Sequence, residues 1–408
     1  MPTAAHAADA LAAAVVFSLP WSTSVTSALI ACWLIAALLT LDLSSTPLLR
    51  HPALALPAGL CLLAATGMLW ADVAWPERLQ GFNPFPKLLV IPLLMMQFSR
   101  SDRGLRVVST YLVSATLLLA YSWVTLSWPA LAMMQDVPGV PVKDRIFQSI
   151  CFVLAIAALF HLAVTALERR RTGYAVTCVI LAVAFLVNIA YVATSRTALV
   201  ILPVLLLVIS YQRLGTRGTV LAAVALGLIG TLAWATSPYL RERAAATVDG
   251  TLASPRATAT SESIRIGFWH ASLDALSEAP VIGHGTGSIR HVLDESARQG
   301  RRPPDHLGIR NPHNQILAVG IQLGAIGIAV LLAMWLAHMR LFRDDGWPAW
   351  LGLLVVSQNV IASLFNSHLS DFTAGWLYVF GVGILGGTVL RQGGRAPPAS
   401  PGVRHEGV

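Results

Sequence analysis

Apolar runs of about bilayer length recur along nearly the whole chain, and one long polar interval, residues 238–311, interrupts them. The hydrocarbon layer takes about 20 helical residues at 1.5 Å rise each, and lipid offers a backbone no hydrogen bonds, so such runs must be helices. Roughly twelve can be read, at about 8–20, 24–41, 52–72, 85–98, 107–127, 147–167, 174–193, 197–211, 218–237, 313–339, 347–366 and 371–390. The runs at 85–98 and 197–211 are short and polar at their ends. Charged residues make up 12% of the chain, against about 25% in soluble domains. The expected fold is an all-α polytopic membrane protein of about twelve transmembrane helices, with one large loop module of short amphipathic helices on the outer face.

The short loops set an orientation. Arg100, Arg103 and Arg106 form one basic cluster and Arg169, Arg170 and Arg171 another, followed by Arg213 with Arg217, Arg340 with Arg343, and Arg391 with Arg395. They fall on alternate loops, so the positive-inside rule places both termini in the cytoplasm and the 238–311 interval outside. That interval holds nine Arg against eight acidic residues, so the net charge of +8 reflects topology and does not suggest nucleic acid. No Lys or Arg precedes the first apolar run, so no cleaved signal peptide is expected. Cys32, Cys61, Cys151 and Cys178 all lie in apolar runs without metal or redox spacing. The organisation expected is transmembrane helices 1–9 over 1–237, the loop module over 238–312, helices 10–12 over 313–391, and a disordered cytoplasmic tail over 392–408.

No internal repeat is evident, which weighs against an inverted-repeat transporter. The polar interval is too long for an idle connection. Its middle reads as a helix carrying Ile264, Ile266, Phe268, Leu273 and Leu276, with capping side chains at Ser261 and Ser263. After Pro280, the Gly283-His284-Gly285-Thr286-Gly287 turn and the basic stretch Arg298, Arg301 and Arg302 read as loop.

Several residues on this outer face could carry chemistry. His313 follows Asn311 and Pro312, a cap and a helix-opening proline, which puts it in the first turn of an apolar helix. There the helix end attracts anions and favours the neutral imidazole that a general base needs. The plainer alternative is an interfacial histidine making one hydrogen bond. Downstream, Gly320, Gly324 and Gly327 form a small-residue stripe suited to close helix approach. Arg196, in Thr194-Ser195-Arg196-Thr197, and Lys87, after Pro84 and Pro86, are cations on the side where topology does not favour them. Either could simply snorkel. Arg265 has Trp269 at i+4, within reach for stacking, against the alternative of a solvated helix face. Arg145 is weaker, because Asp144 could neutralise it.

HExxH, Gly-x-Ser-x-Gly and Walker motifs are missing, as is any Asp-x-Asp or paired outward carboxylate with acid/base spacing. Outward arginines with few metal ligands suit a phosphate-bearing substrate handled without a divalent ion.

These residues resemble the O-antigen ligase and polymerase superfamily of bacterial inner membranes. Its members carry one large periplasmic loop before the last few helices, so the resemblance implies that the outer loop module is periplasmic. Ligase-type members share His, then Asn, Ser or Gln, nine residues, Gly, two residues, and Gly, Thr or Tyr. The chain reads His313, Asn314, nine residues, Gly324, Ala325, Ile326, Gly327. The Ser195-Arg196-Thr197 element and the Arg265 helix with its following Gly-x-Gly turn are also similar. The resemblance implies transfer of O-antigen from polyprenyl diphosphate to a hydroxyl of lipid A–core oligosaccharide. His313, Arg265 and Arg196 would be catalytic, and Lys87, Arg145, Ser195, Trp269, Asn311 and Asn314 would bind diphosphate or sugar. Pro312, Gly285, Gly320, Gly324 and Gly327 would be structural, with no metal and no cofactor. The partners implied are the polyprenyl-linked O-antigen, the lipid A–core acceptor and membrane lipid. Related alternatives are an O-antigen polymerase, which generally lacks the His313 pattern, and a protein O-oligosaccharyltransferase. A lipid-linked oligosaccharide flippase is the non-enzymatic alternative, but it would carry charges deep within several helices.

Overall fold

Short capping signals open the helices on an otherwise uniformly apolar background. Ser22 accepts from the Val25 amide, His51 with Pro52 starts another helix, and the Asp144 carboxylate accepts from the amides of Ile146 and Phe147. The computed structural model describes residues 2–42, 48–134, 137–236, 261–299 and 311–393. These form α1 (Pro2–Ser18), α2 (Thr23–Leu39), α3 (Pro52–Gly67), α4 (Trp75–Phe82), α5 (Val90–Phe98), α6 (Gly104–Ser127) and α7 (Arg145–Glu168). Then follow α8 (Thr172–Tyr191), α9 (Arg196–Thr236), α10 (Ser261–Glu278), α11 (Ile289–Arg298), α12 (Gln315–Leu341), α13 (Trp347–Ala362) and α14 (Phe372–Gly393). No strand occurs among the described residues.

Among the described residues, six helices are long and apolar enough to cross a membrane: α6, α7, α8, most of α9, α12 and α14. Shorter apolar helices occupy Ala4–Ser18, Thr23–Leu39, Pro52–Gly67 and Trp347–Ala362. Gly215, at φ 64° and ψ −166°, breaks α9 between the two runs read there from the sequence. Exposure supports a lipid-facing surface. On α8, Val176, Val179, Ile180, Val183 and Val187 share one face and are exposed, while Phe185, Asn188 and Ile189 on the other are buried. A helix in water would present the opposite arrangement.

The core runs through α14, which packs on α5, α6 and α13, while α12 packs on α3 and α10. Trp33 meets Phe380 edge-on at 5.5 Å, and Phe152 meets Phe185 at 4.8 Å. Buried polar groups are tied across helices. The His338 imidazole bonds the Tyr378 hydroxyl at 2.6 Å and the Ala53 carbonyl at 2.9 Å, joining α12, α14 and α3.

The loop module departs from the sequence reading in two places. The stretch after the Gly-rich turn is a helix, α11, although Arg301 and Arg302 lie outside the described residues. The glycine stripe is also not one helix face. Gly324 sits at φ 60° and ψ −158°, a conformation that interrupts α12 and that an L side chain rarely adopts. The backbone groups freed by this break pair with the segment that follows α10. His284 N donates to Ile321 O at 2.8 Å and Gly285 N to Gln322 O at 2.9 Å, while Ala325 N donates to Pro280 O at 2.8 Å. A loop therefore enters where a neighbouring helix was expected. Irregular backbone is tolerated inside such a protein only where it is satisfied in this way.

Candidate active site

The loop joining α13 to α14, residues 363–371, is bound to the start of α12 by backbone and side-chain amides. Gln315 N donates to Ser363 O at 2.8 Å, Ser370 N donates to Gln315 Oε1 at 3.2 Å, and Asn314 Nδ2 donates to Leu364 O at 3.3 Å. Asn314 is the N-cap of α12, its Oδ1 accepting from the amides of Ile316 and Leu317. This corrects the cap expected at Asn311 and the helix opening expected at Pro312. His313 lies just before the helix, at φ 54°, a left-handed conformation that costs a non-glycine residue about 1–2 kcal/mol.

What holds that conformation is an Asx turn. Asn311 Oδ1 accepts the His313 backbone N–H at 2.9 Å and also the Ser367 hydroxyl at 2.7 Å. Asn311 Nδ2 therefore faces Asn366, donating to its Oδ1 at 2.9 Å. That same oxygen lies 3.1 Å from His313 Nδ1. A carbonyl oxygen only accepts, so Nδ1 carries the proton and Nε2 keeps its lone pair. The unambiguous backbone donor thus fixes the tautomer through two amides.

Phe268 of α10 stacks on the imidazole, with ring centroids 6.2 Å apart and planes 22° from parallel. Burial is the main cause holding the imidazole below its ordinary pKa; the Asn366 contact opposes this, and the nearby Arg265 charge adds to it. Arg265 is thus near enough to His313 for its charge to act on the imidazole. The stacking expected between Arg265 and Trp269 is not among the described contacts. The described cation–π contacts pair Arg78 with Trp75, Lys143 with Phe147 and Arg213 with Trp350, and Phe268 takes the position against His313. The Trp269 indole N–H is buried without a described partner.

Lys87 is buried, and its ammonium donates to the carbonyls of Asp371 at 2.7 Å and Ser370 at 3.3 Å. It anchors the 363–371 loop from below. Arg145 is exposed at the first turn of α7, where Asp144 is occupied as the cap. Ser195 is buried with its hydroxyl unpartnered, and Arg196 begins α9 with its side chain outside the described atoms. Gly285, at φ 89°, passes so close to Ala71 that a Cβ would overlap its backbone. A Cβ at Gly320 would meet Ile328 of α12 and Leu276 of α10, and one at Gly327 would meet Leu323 and Val319 of α12 itself.

Sequence reading missed three residues here: Asn366, Phe268 as a stacking partner, and His368. His368 is buried with both ring nitrogens unpartnered, and its pKa is pushed down to about 4 by burial, against the opposing charges of Asp371 and Asp144. A basic or aromatic residue within a short connection between two apolar runs gives no signal of depth.

Residues 181–332 match the family model described as O-antigen ligase. That stretch contains Ser195, Arg196, Arg265, Trp269, Gly285 and the whole 311–327 pattern, and excludes Lys87, Arg145 and the 363–371 loop. Part of the chain is also 26% identical over 91 residues to a Rickettsia conorii protein named "Putative polysaccharide ligase". The match covers 21% of this chain and 21% of that protein's length.

Proposed function

We propose that the protein is an O-antigen ligase of the bacterial inner membrane, crossing it about twelve times with both termini cytoplasmic and its site facing the periplasm. It transfers O-antigen from polyprenyl diphosphate to a hydroxyl of lipid A–core oligosaccharide. The observation that carries this reading is His313, held in one tautomer by Asn366 and acted on by Arg265, with His313 and Arg265 both inside the segment that matches the ligase family model.

His313 Nε2 takes the proton of the acceptor hydroxyl as its oxygen bonds to the anomeric carbon of the donor. The bond from that carbon to the diphosphate breaks, and polyprenyl diphosphate leaves with the electron pair. Arg265 and Arg196 stabilise the charge growing on its oxygens. A single displacement inverts the anomeric centre, and the arginines take the part a divalent ion plays elsewhere.

The test is complementation of a deletion strain. His313→Ala should abolish the ladder of glycan-bearing lipopolysaccharide while polymerised lipid-linked donor accumulates. Loss of the polymer itself would instead indicate a polymerase. Purified protein should transfer glycan in the presence of a chelator, and a strict metal requirement would defeat the arginine mechanism.

A further inference from the structure

A cleft of about 290 Å³ opens beside the His313 network. One wall is shared with that network, through Asn311, Asn366 and Ser367; the others come from α4, the start of α11, and Ala318 and Gln322 of α12. Glu77, Gln80, Arg290, Gln322, Ser370 and Asp371 supply its polar groups, and Phe85 with Pro84 an apolar patch. At this volume, near the small end of ligand sites, one or two sugar rings fit.

The walls are built rigidly. Gln322 Oε1 accepts from Gly287 N at 2.9 Å while its Nε2 donates to Ala318 O at 2.9 Å. Gly81 and Gly287 run backbone to backbone, so a Cβ on Gly81 would overlap Gly287. Arg78 pins α4 in place, donating to the carbonyls of Val73 and Met68, each at 2.8 Å.

Charge decides what the cleft takes. Two carboxylates line it, Glu77 and Asp371, and the one cation, Arg290, lies 3.5 Å from the Asp294 carboxylate. The Asp371 charge also acts on the nearby Lys87 and Lys143, cations that do not line the cleft. A diphosphate here would face two carboxylates and a cation already paired. Sugar hydroxyls, by contrast, donate well to carboxylates and amide oxygens. We infer that this cleft is the acceptor subsite, holding an unphosphorylated, hydroxyl-rich terminal sugar of the acceptor glycan beside the His313 network. This assignment rests on the ligase reading, and it separates the two substrates by charge: the diphosphate toward Arg265, the acceptor sugar toward Glu77 and Asp371.

The experiment uses the full chain in nanodiscs with a lipid-linked diphosphate glycan donor and a delipidated, dephosphorylated core oligosaccharide as acceptor. Glu77→Gln and Gln80→Ala lie on the partly exposed α4 and should leave folding intact. Each should raise the acceptor KM about tenfold, the scale of one lost hydrogen bond to a charged or polar partner, with donor KM unchanged. Acceptor binding without donor, followed by saturation-transfer NMR, should weaken to the same degree, and an acceptor still carrying phosphate on its terminal sugar should bind more weakly to the unmodified protein. An unchanged acceptor KM in both variants, or a rise in donor KM instead, overturns the subsite. If the unmodified protein transfers nothing, the ligase reading fails. The NMR measurement then still decides the cleft, because loss of oligosaccharide binding in Glu77→Gln supports it and undiminished binding rejects it.

Discussion

His313 and Asn366, 53 positions apart, are joined by a 3.1 Å hydrogen bond that leaves Nε2 as the basic nitrogen of the imidazole. The bond depends on Asn311, whose orientation is set by the backbone amide of His313 itself. Removing the partner should therefore affect rate more than substrate affinity. Asn366→Ala is expected to lower kcat about tenfold or more, from the loss of about 1.5 kcal/mol of orientation, with little change in either KM. Steady-state kinetics at saturating acceptor measure it, and an unaltered kcat removes Asn366 from the mechanism.

The pH dependence separates the groups around the imidazole. Burial and Arg265 hold the His313 pKa below its usual 6.5, and the base works only when neutral. Activity should accordingly rise with pH through a limb below 6.5 and level off toward neutrality. Arg265→Gln removes a lowering charge, so the limb should move up, with the rate falling about 10²–10³-fold as a diphosphate donor is lost. Asn366→Ala removes a raising contact, so its limb should move down. Shifts in the same direction for both variants would contradict the arrangement.

Lys87 gives a prediction of the opposite character. Its ammonium is committed to the carbonyls of Ser370 and Asp371, so Lys87→Met should leave those buried oxygens unpaired at a cost of about 1–3 kcal/mol. A lower Tm in detergent with unchanged donor KM is the expected outcome. A raised donor KM at unchanged Tm would instead place Lys87 on the diphosphate.

How much of this was legible in the sequence follows from the range of each interaction. His313 stood out because an imidazole borders an apolar helix, where polar side chains are costly without a use, and Arg265 because Trp269 follows it at i+4. Asn366 reads as the last residue of the apolar run at 347–366, and its role exists only once α12 and the 363–371 loop are packed together. Phe268 and Trp269 are adjacent on a helix with irregular apolar spacing, so the sequence could not say which ring faces His313. Glu77 and Asp371 share a cleft although more than half of the chain separates them, so a search for local carboxylate spacing could not pair them. Lys87 had a visible charge but invisible partners, since backbone carbonyls carry no sequence signature.

The glycines of α12 make the same point and yield the last prediction. Gly320, Gly324 and Gly327 have the spacing of a packing stripe, yet only Gly324 leaves the helical region, and only there does a foreign backbone come close. A Cβ at Gly324 would overlap the Val281 carbonyl and would also have to adopt φ 60°. Gly324→Ala should thus cost about 2 kcal/mol or more, by strain and by loosening the 280–287 loop that lines the acceptor cleft. Gly59, inside α3 with nothing within 4 Å of a built Cβ, provides the control. There Ala relieves the entropy that a helical glycine costs, so Gly59→Ala should be neutral or more stable by up to about 1 kcal/mol. Thermal unfolding of the two variants in the same detergent compares them directly. If Gly324→Ala melts with the unmodified protein, the break in α12 is not fixed by the glycine, and the pairing of Ile321 and Gln322 with the 280–287 loop must have another cause.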